Sequence, residues 1–459
     1  MRILLATSFF PPEHRAGTEN YTLGLASGLV KAGNDVRVLC AGSWAEGRRY
    51  WNGHTDEIYN GVSVRRLHMN WTKASDPNRY LYDNPVVARE LAPYLTQVRP
   101  DVVHIISCLT LSASIIRTIK HTHTPVIITL TDFWFLCPRI TLLRDNSELC
   151  SGQTTAADCL RCMLGHAKSF RLVSSILPES IVDTVLVSVS QHPVITRQRG
   201  MRGMALNITH RKEYLRETLA MADCVIAPSK SLQNLFRQNG FCAPMRIVPH
   251  GHDLSWLQSY ARRTESDTVR FGYLGQIISI KGVHLVLQAF KTLPPESLAT
   301  LSVFGDLDKE PSYTEQLRHI AANSSKIQFK GAFVREQLGE ILGQLDVVVV
   351  PSVWYENSPL VIQEAFAAKI PVIATDLGGM SEIVQHQVNG LLFERSNVQD
   401  LSYQLQRVIN EPGLLERLRA GIAAVKNMDD EVHELGKIYR EFIETPRDHT
   451  APCRSDGRR

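Results

Sequence analysis

The stretch Val350-Pro351-Ser352-Val353-Trp354-Tyr355-Glu356-Asn357-Ser358-Pro359-Leu360-Val361-Ile362-Gln363-Glu364-Ala365 decides how the chain is read. A short β-branched run ends at Pro351, which cannot continue a central strand. A polar loop follows, and Ser358-Pro359 reads as a helix start, with the serine as cap and the proline as first helical residue. Strand, loop and helix in that order make one βα unit. Backbone N–H groups in the first helical turn lack intrahelical partners, so the turn after Pro359 is an anion site that the helix dipole strengthens. Glu364 lies one turn beyond Leu360 on the same face, where a carboxylate suits hydroxyl groups such as those of a ribose. Glu356 sits in the loop, nearer to whatever occupies the space before the helix.

Working outward, the same alternation fills most of the chain. Strand-like runs are expected at 3–8, 36–40, 62–67, 102–106, 126–131, 224–227 and 246–248, then at 269–274, 300–304, 327–329, 346–350 and 371–374. Helical periodicity falls at 21–32, 86–98, 112–120 and after Ser229, then at 283–293, 315–322, 335–344 and 360–368. Strands apolar on both faces between amphipathic helices predict parallel sheets covered on both sides. The pattern restarts after Pro249-His250-Gly251-His252-Asp253 and the polar stretch 261–268. The expected architecture is therefore α/β: two facing Rossmann-like, doubly wound domains with an interdomain cleft at the carboxyl ends of their strands. The boundaries are 1–255 for the first domain, 265–427 for the second, 428–445 for a helix returning to the first, and 446–459 for a frayed tail.

Two further loops fit the anion-site logic. Gly275-Gln276-Ile277-Ile278-Ser279-Ile280-Lys281-Gly282 leaves a strand and opens a helix, setting Lys281 beside helix N–H groups. Pro11-Pro12-Glu13-His14-Arg15-Ala16-Gly17 does the same after the first strand, and Gly17 lets bare backbone approach a ligand.

In the order Gly275 to Gly282, Gly331, Pro351 to Ala365 and Thr375 to Gly379, with Glu356 and Glu364 as a Glu-x7-Glu pair, the chain resembles the retaining nucleotide-sugar glycosyltransferases of family 4, the group 1 glycosyl transferases of GT-B fold. The resemblance extends over about residues 1–445 and is densest from 269 to 394. It implies hexosyl transfer from a nucleotide-sugar donor with retained anomeric configuration and no metal required for catalysis. It also implies a saccharide, lipid-linked sugar or growing polysaccharide as acceptor, in polysaccharide biosynthesis. By resemblance Glu364 holds the donor ribose, Lys281 binds the diphosphate, and Glu356 contacts the donor sugar beside the reacting carbon. Gln276, Asn357, Ser358, Pro359, and the backbone of Leu360 and Val361 line the donor, and Gly17 approaches its phosphate.

The chain departs from the family pattern at two positions. Gln276 stands where the family has arginine, and Thr131-Asp132 where it has His-Asp. His104, Asp132 and Arg139 are the candidates left on the acceptor side, with a structural role the favoured reading of His104, a lone histidine without a placed partner. These departures keep two other readings open: a catalytically impaired nucleotide-sugar-binding partner subunit, and a GT-B-fold sugar epimerase.

From Phe133 to about Arg216 the alternation lapses, which predicts an insertion in the first domain. It carries Cys137, Cys150, Cys159 and Cys162, four thiols that could enclose a structural zinc. Between Arg161 and Arg216 stand nine basic residues against three acidic ones, mixed with apolar runs. That composition suits a surface resting on anionic lipid. The chain of 459 residues as a whole has a net charge of only +4, too mild to argue for nucleic acid. No apolar run reaches the length of a spanning helix. The apolar start, Met1 to Phe10, stops at Pro11-Pro12-Glu13 without a cleavage site, so it reads as a buried strand. Cytoplasmic placement, peripheral at the inner membrane face, is expected, with the nine cysteines largely reduced.

Overall fold

The computed structural model describes residues 1–42, 47–144, 147–165, 167–191, 201–261, 267–322 and 324–445. The chain forms two compact units: Met1–Pro228 with Leu232–Val248 and the chain from Asp429 onward, and Pro249–Met428 with Ser229–Ser231.

The first unit is built on eight strands: β1 (Arg2–Ala6), β2 (Asp35–Ala41), β3 (Trp51–Tyr59), β4 (Val62–Met69), β5 (Val102–Ile105), β6 (Val126–Thr129), β7 (Cys224–Ala227) and β8 (Met245–Ile247). They run in the order β3-β4-β2-β1-β5-β6-β7-β8. Every pairing is parallel except β3 with β4. The central strands β5, β6 and β7 are buried at every residue, as a sheet covered on both faces requires. The antiparallel β3 corrects the all-parallel expectation. It is a mostly exposed edge whose signal is charge: the Arg65 guanidinium holds Asp56 across the ladder at 2.7 and 2.6 Å. Charged side chains on an edge strand discourage pairing with another chain.

The second unit has β9 (Val269–Leu274), β10 (Ala299–Phe304), β11 (Ile327–Gly331), β12 (Val347–Val350), β13 (Val372–Thr375) and β14 (Gly390–Phe393). Their order, β11-β10-β9-β12-β13-β14, is wholly parallel and reverses direction between β9 and β12. This is the doubly wound order whose ligands sit beyond the strand ends at the reversal. Two apolar layers sandwich the sheet, one around Phe271, Val286 and Leu405, the other around Leu342, Val348 and Ile362.

The unit boundary falls at Val248/Pro249, seven residues before the expected 255. The reason is Trp256 in the short 3-10 helix Ser255–Ser259, which packs into the second core beside Leu338, Ile341 and Leu342. The helix Met428–Glu444 is placed with the first unit from Asp429 onward. It is held there by Tyr21 Oη donating to Glu431 Oε1 at 2.7 Å, by Lys31–Asp429 at 2.9 Å, and by Arg246 Nη1 on Glu441 at 2.8 Å. The tail 446–459 lies outside the described residues.

The expected insertion begins with turns and a small bridge between Leu143 and Leu149 and is helical from Ala156. Helices Ala156–Leu164, Lys168–Ile176, Glu179–Gln191 and Met201–Ala220 carry the chain from β6 to β7. Among the described residues no helix is long and apolar enough to cross a membrane.

Candidate functional site

In the second unit the loops after β9 and β12 leave neighbouring strands at the reversal point. The β9 loop turns at Gly275, whose φ of 148° favours glycine, and Tyr273 Oη donates to the Gln276 carbonyl at 2.6 Å. A short 3-10 turn, Ser279–Lys281, then leads through Gly282 into helix Val283–Lys291. Gly282 has φ 71°, and a Cβ there would lie 2.0 Å from the Pro351 carbonyl oxygen. This close approach, with Val353 N–H donating to the Ile280 carbonyl at 3.0 Å, locks the two loops side by side.

Between them Lys281 Nζ meets Glu356 Oε1 at 2.6 Å. The same carboxylate oxygen accepts from Ser352 Oγ at 2.7 Å and Trp354 Nε1 at 3.0 Å. Lys281 Nζ also lies 5.3 Å from the centroid of the Trp354 ring, within cation–π range. Glu356 is buried, but three donors, one of them cationic, offset the loss of water around its charge. Behind the loop, Gly379 N–H donates to the Glu356 carbonyl at 2.9 Å, and a Cβ at Gly379 would strike the Asn357 carbonyl oxygen at 2.1 Å.

The following helix runs from Leu360 to Ala367 with Pro359 as its cap, one residue later than the Ser358 start expected. Pro359 keeps an extended ψ of 116°, which moves the first helical residue to Leu360 and leaves Ser358 too far back to cap. No side chain caps this helix, so the first-turn N–H groups at Leu360 and Val361 keep their donor character. Glu364 is largely shielded, with 12% of its side chain exposed, and accepts from Arg335 Nη1 at 2.8 Å. Burial pushes its carboxyl above the usual range, and Arg335 offsets that shift only in part. Arg335 also binds the Asp253 carbonyl at 2.8 Å and lies 3.6 Å from the Asp253 carboxylate. It is a residue that sequence reasoning missed; its only signal was its place just after Gly331.

In the first unit, Gly17 is the first residue of helix Gly17–Lys31, not part of the loop before it. The cause is Glu19, which reaches back to accept from the Ala16 N–H at 3.1 Å and starts the helix early.

The three acceptor-side candidates do not form a set. His104 is fully buried, its ring nitrogens 2.6 Å from Tyr439 Oη and 2.7 Å from Thr129 Oγ1, so it ties the sheet to the C-terminal helix. Arg139 spends its guanidinium on the Cys162 carbonyl at 3.0 Å, inside the insertion. Asp132 accepts from the Trp134 N–H at 2.8 Å, and burial pushes its carboxyl up to about 6. The nearest cation to act on it is Arg211, itself buried and bonded to the Trp134 carbonyl. Thr131 donates to the Ile106 carbonyl at 3.0 Å.

The expected zinc ligands Cys137, Cys150, Cys159 and Cys162 are free thiols. Among the described residues no group of three or more His, Cys, Asp or Glu is gathered closely enough to hold a metal ion. Cys150 accepts from the Gly152 N–H at 3.4 Å, and Cys159 lies 3.1 Å from Thr154 Oγ1. Burial first, and then Cys137, Cys150 and Cys162, push the Cys159 thiol up. The expected basic face is likewise divided. Arg161 pairs with Asp158 and Asp183, Arg211 is buried, and Lys212 and Arg216 bond to the carbonyls of Thr154 and Asn239. These four hold the insertion together rather than facing a partner.

Two family models match the chain: glycosyl transferases group 1 over residues 259–424 and a glycosyl transferase 4-like domain over residues 16–175. The chain is 25% identical over 307 residues to a capsular polysaccharide biosynthesis glycosyltransferase of Staphylococcus aureus, covering 61% of this chain and 79% of that one. It is 28% identical over 186 residues to an uncharacterised glycosyltransferase of Methanocaldococcus jannaschii, a match over 40% of this chain that spans 46% of that relative's length. Among solved structures, a sucrose-phosphate synthase from Thermosynechococcus elongatus superposes with a TM-score of 0.66 at 19% identity, over 96% of this chain and 99% of that one. The Anabaena HepE protein in complex with UDP gives 0.62 at 17%, over 96% and 100%. The two units thus have the GT-B architecture, and the chain belongs to the group 1 glycosyltransferases.

Proposed function

We propose that the protein moves a hexosyl group from a nucleotide-sugar donor to a lipid-linked saccharide or growing polysaccharide, with retention of anomeric configuration and no catalytic metal. The observation that carries this reading is the Lys281–Glu356 pair, held between two loops at the reversal point of the second sheet. A leaving nucleoside diphosphate needs positive charge and directed N–H groups more than it needs a base. Lys281 and the uncapped helix start at Leu360 and Val361 supply both. Glu356, fixed through one oxygen, keeps acceptor capacity for donor-sugar hydroxyls, and Glu364, oriented by Arg335, receives the ribose. A neighbour crystallised with UDP and a relative from capsular polysaccharide biosynthesis are consistent with a nucleotide donor and a polysaccharide product. The same reading puts the enzyme in the cytoplasm, at the surface of the inner membrane where lipid-linked acceptors reside.

The test is incubation with a panel of nucleotide hexoses and lipid-linked acceptors, with proton NMR of the anomeric centre in donor and product. Transfer with the configuration unchanged supports the proposal. Donor binding without transfer or hydrolysis on any acceptor favours an impaired binding subunit. The observation behind that second reading is local: Thr131 and His104, at the ends of adjacent strands, both have their polar atoms committed.

A further inference from the structure

Large apolar side chains that face solvent are scattered singly over the described residues, with one exception. Leu172, Ile176, Leu177, Ile181, Val185 and Val187 are all exposed, from 37% to 73%, within sixteen consecutive residues. They lie on helices Lys168–Ile176 and Glu179–Gln191 and the turn joining them. Leu172 and Ile176 are four residues apart and share one helix face, as do Ile181 and Val185. The adjoining face of the second helix, about 100° round, is also apolar. Val182 is buried, and Leu186 packs on the small cluster of Leu160 and Ile208. An apolar surface this wide belongs in an interior, yet the part bearing Ile181 and Val185 is bare. A contiguous patch of this kind marks an interaction surface.

The charge pattern selects the partner. Arg171 is exposed on the first of these helices. From Thr184 to Arg202 the sequence has no acidic residue but carries Arg197, Arg199 and Arg202. Arg197 and Arg199 lie outside the described residues, and all three contribute only through the charge of the sequence. The nearest acidic side chain described, Asp183, is paired with Arg161 at 3.2 Å. Between the apolar positions stand small hydroxyl residues, Ser174, Ser175, Ser180, Thr184 and Ser188, which suit the headgroup boundary. Apolar residues at helical spacing with basic chain beside them make an element that lies in a bilayer interface rather than across it. A second copy of the chain would bring the same positive charge against itself.

We infer that helices Lys168–Ile176 and Glu179–Gln191 form a membrane-docking element that inserts Leu172, Ile176, Ile181 and Val185 into the interface of an anionic bilayer. This inference names the membrane contact of the proposed function but does not depend on donor binding.

The experiment is flotation of the full chain with phosphatidylcholine vesicles, with and without phosphatidylglycerol, for wild type and the double variant Leu172→Ser/Ile176→Ser. Size-exclusion chromatography with light scattering is run on both proteins. The expected result is wild-type binding that requires the anionic lipid and weakens with salt, and about tenfold or greater loss of partitioning in the variant. Equal flotation of variant and wild type, or no dependence on phosphatidylglycerol, overturns the inference. So does a wild-type dimer that the variant dissociates without any vesicle binding, which would make the patch a subunit interface. A donor-induced thermal shift retained by the variant shows that it is folded. A shift absent from both proteins indicts the donor reading and leaves the membrane result standing.

Discussion

The two sheets reverse strand order in the same way but furnish their reversal points differently. In the second unit the β9 and β12 loops bring a lysine, a serine hydroxyl and an indole N–H onto one oxygen of Glu356. In the first unit the loops after β1 and β5 meet through hydroxyls: Ser8 Oγ lies 2.6 Å from Ser107 Oγ, and Thr110 Oγ1 donates to the Ser8 carbonyl at 2.8 Å. The contact between the loops is charged in one sheet and made by neutral hydroxyls in the other. A single architecture thus supports two chemistries, set by loop residues rather than by the strands beneath them.

The sharpest way to break this comparison is to remove the charge. Lys281→Ala leaves Glu356 buried without its cation and removes the positive end of the site. Steady-state transfer should fall by about 100-fold or more. A fall of less than about threefold, within ordinary surface-substitution effects, would show that the lysine is structural.

The first unit should answer to pH instead. Asp132 is raised from its ordinary value of 3.8 to about 6 in the folded protein. A carboxyl raised on folding favours the native state while it is protonated. Its contribution is therefore present below about pH 4 and is lost as pH rises through 6, a change of about 3 kcal/mol at most. Asp132→Asn should flatten the stability profile between pH 4 and 7 and raise stability at neutral pH. Denaturant unfolding at several pH values measures it; identical profiles would refute the assignment.

The contact that locks the two charged loops can be tested by steric means. Gly282→Ala sets a Cβ against the Pro351 carbonyl at a positive φ, and should cost about 2 kcal/mol in unfolding free energy. Gly33→Ala is the control, with positive φ but open space around it, and should cost about 1 kcal/mol.

The smallest effect concerns Trp354. Trp354→Phe keeps a ring near Lys281 but removes the N–H that fixes Glu356. It should lower kcat about tenfold, the equivalent of one hydrogen bond to a charged group, with KM little changed. A change in KM alone would place Trp354 in donor binding and not in positioning.

What could be read from the sequence follows from burial. Strands such as β5, β7 and β12 are continuous apolar runs because both faces are covered, so their pattern is unmistakable. The edge strand β3 has neither alternation nor an apolar run, and its pairing rests on Asp56 and Glu57 meeting Arg65 and Arg66. Helix Glu179–Gln191 escaped because Val185-Leu186-Val187-Ser188-Val189 sets β-branched residues at every second position, as a strand would. At the site, glycine and proline marked both loops, since only those residues permit the close approach at Gly282 and the helix start at Pro359. Trp354 and Arg335 carry no such mark: what they do depends on partners that loop conformation or chain crossing supplies. His104 reads as structural from its place in a buried strand, but its partners Thr129 and Tyr439, 25 and 335 residues away in sequence, are visible only in the fold.

The central claim is that the charged loops of the second unit hold a nucleotide-sugar, and thermal unfolding against a panel of nucleotide sugars tests it most directly. A ligand that binds only the native state raises the midpoint by mass action. At least one donor should raise the wild-type midpoint, and Glu364→Ala should abolish that shift. No shift with any donor, or an equal shift in Glu364→Ala, would contradict it.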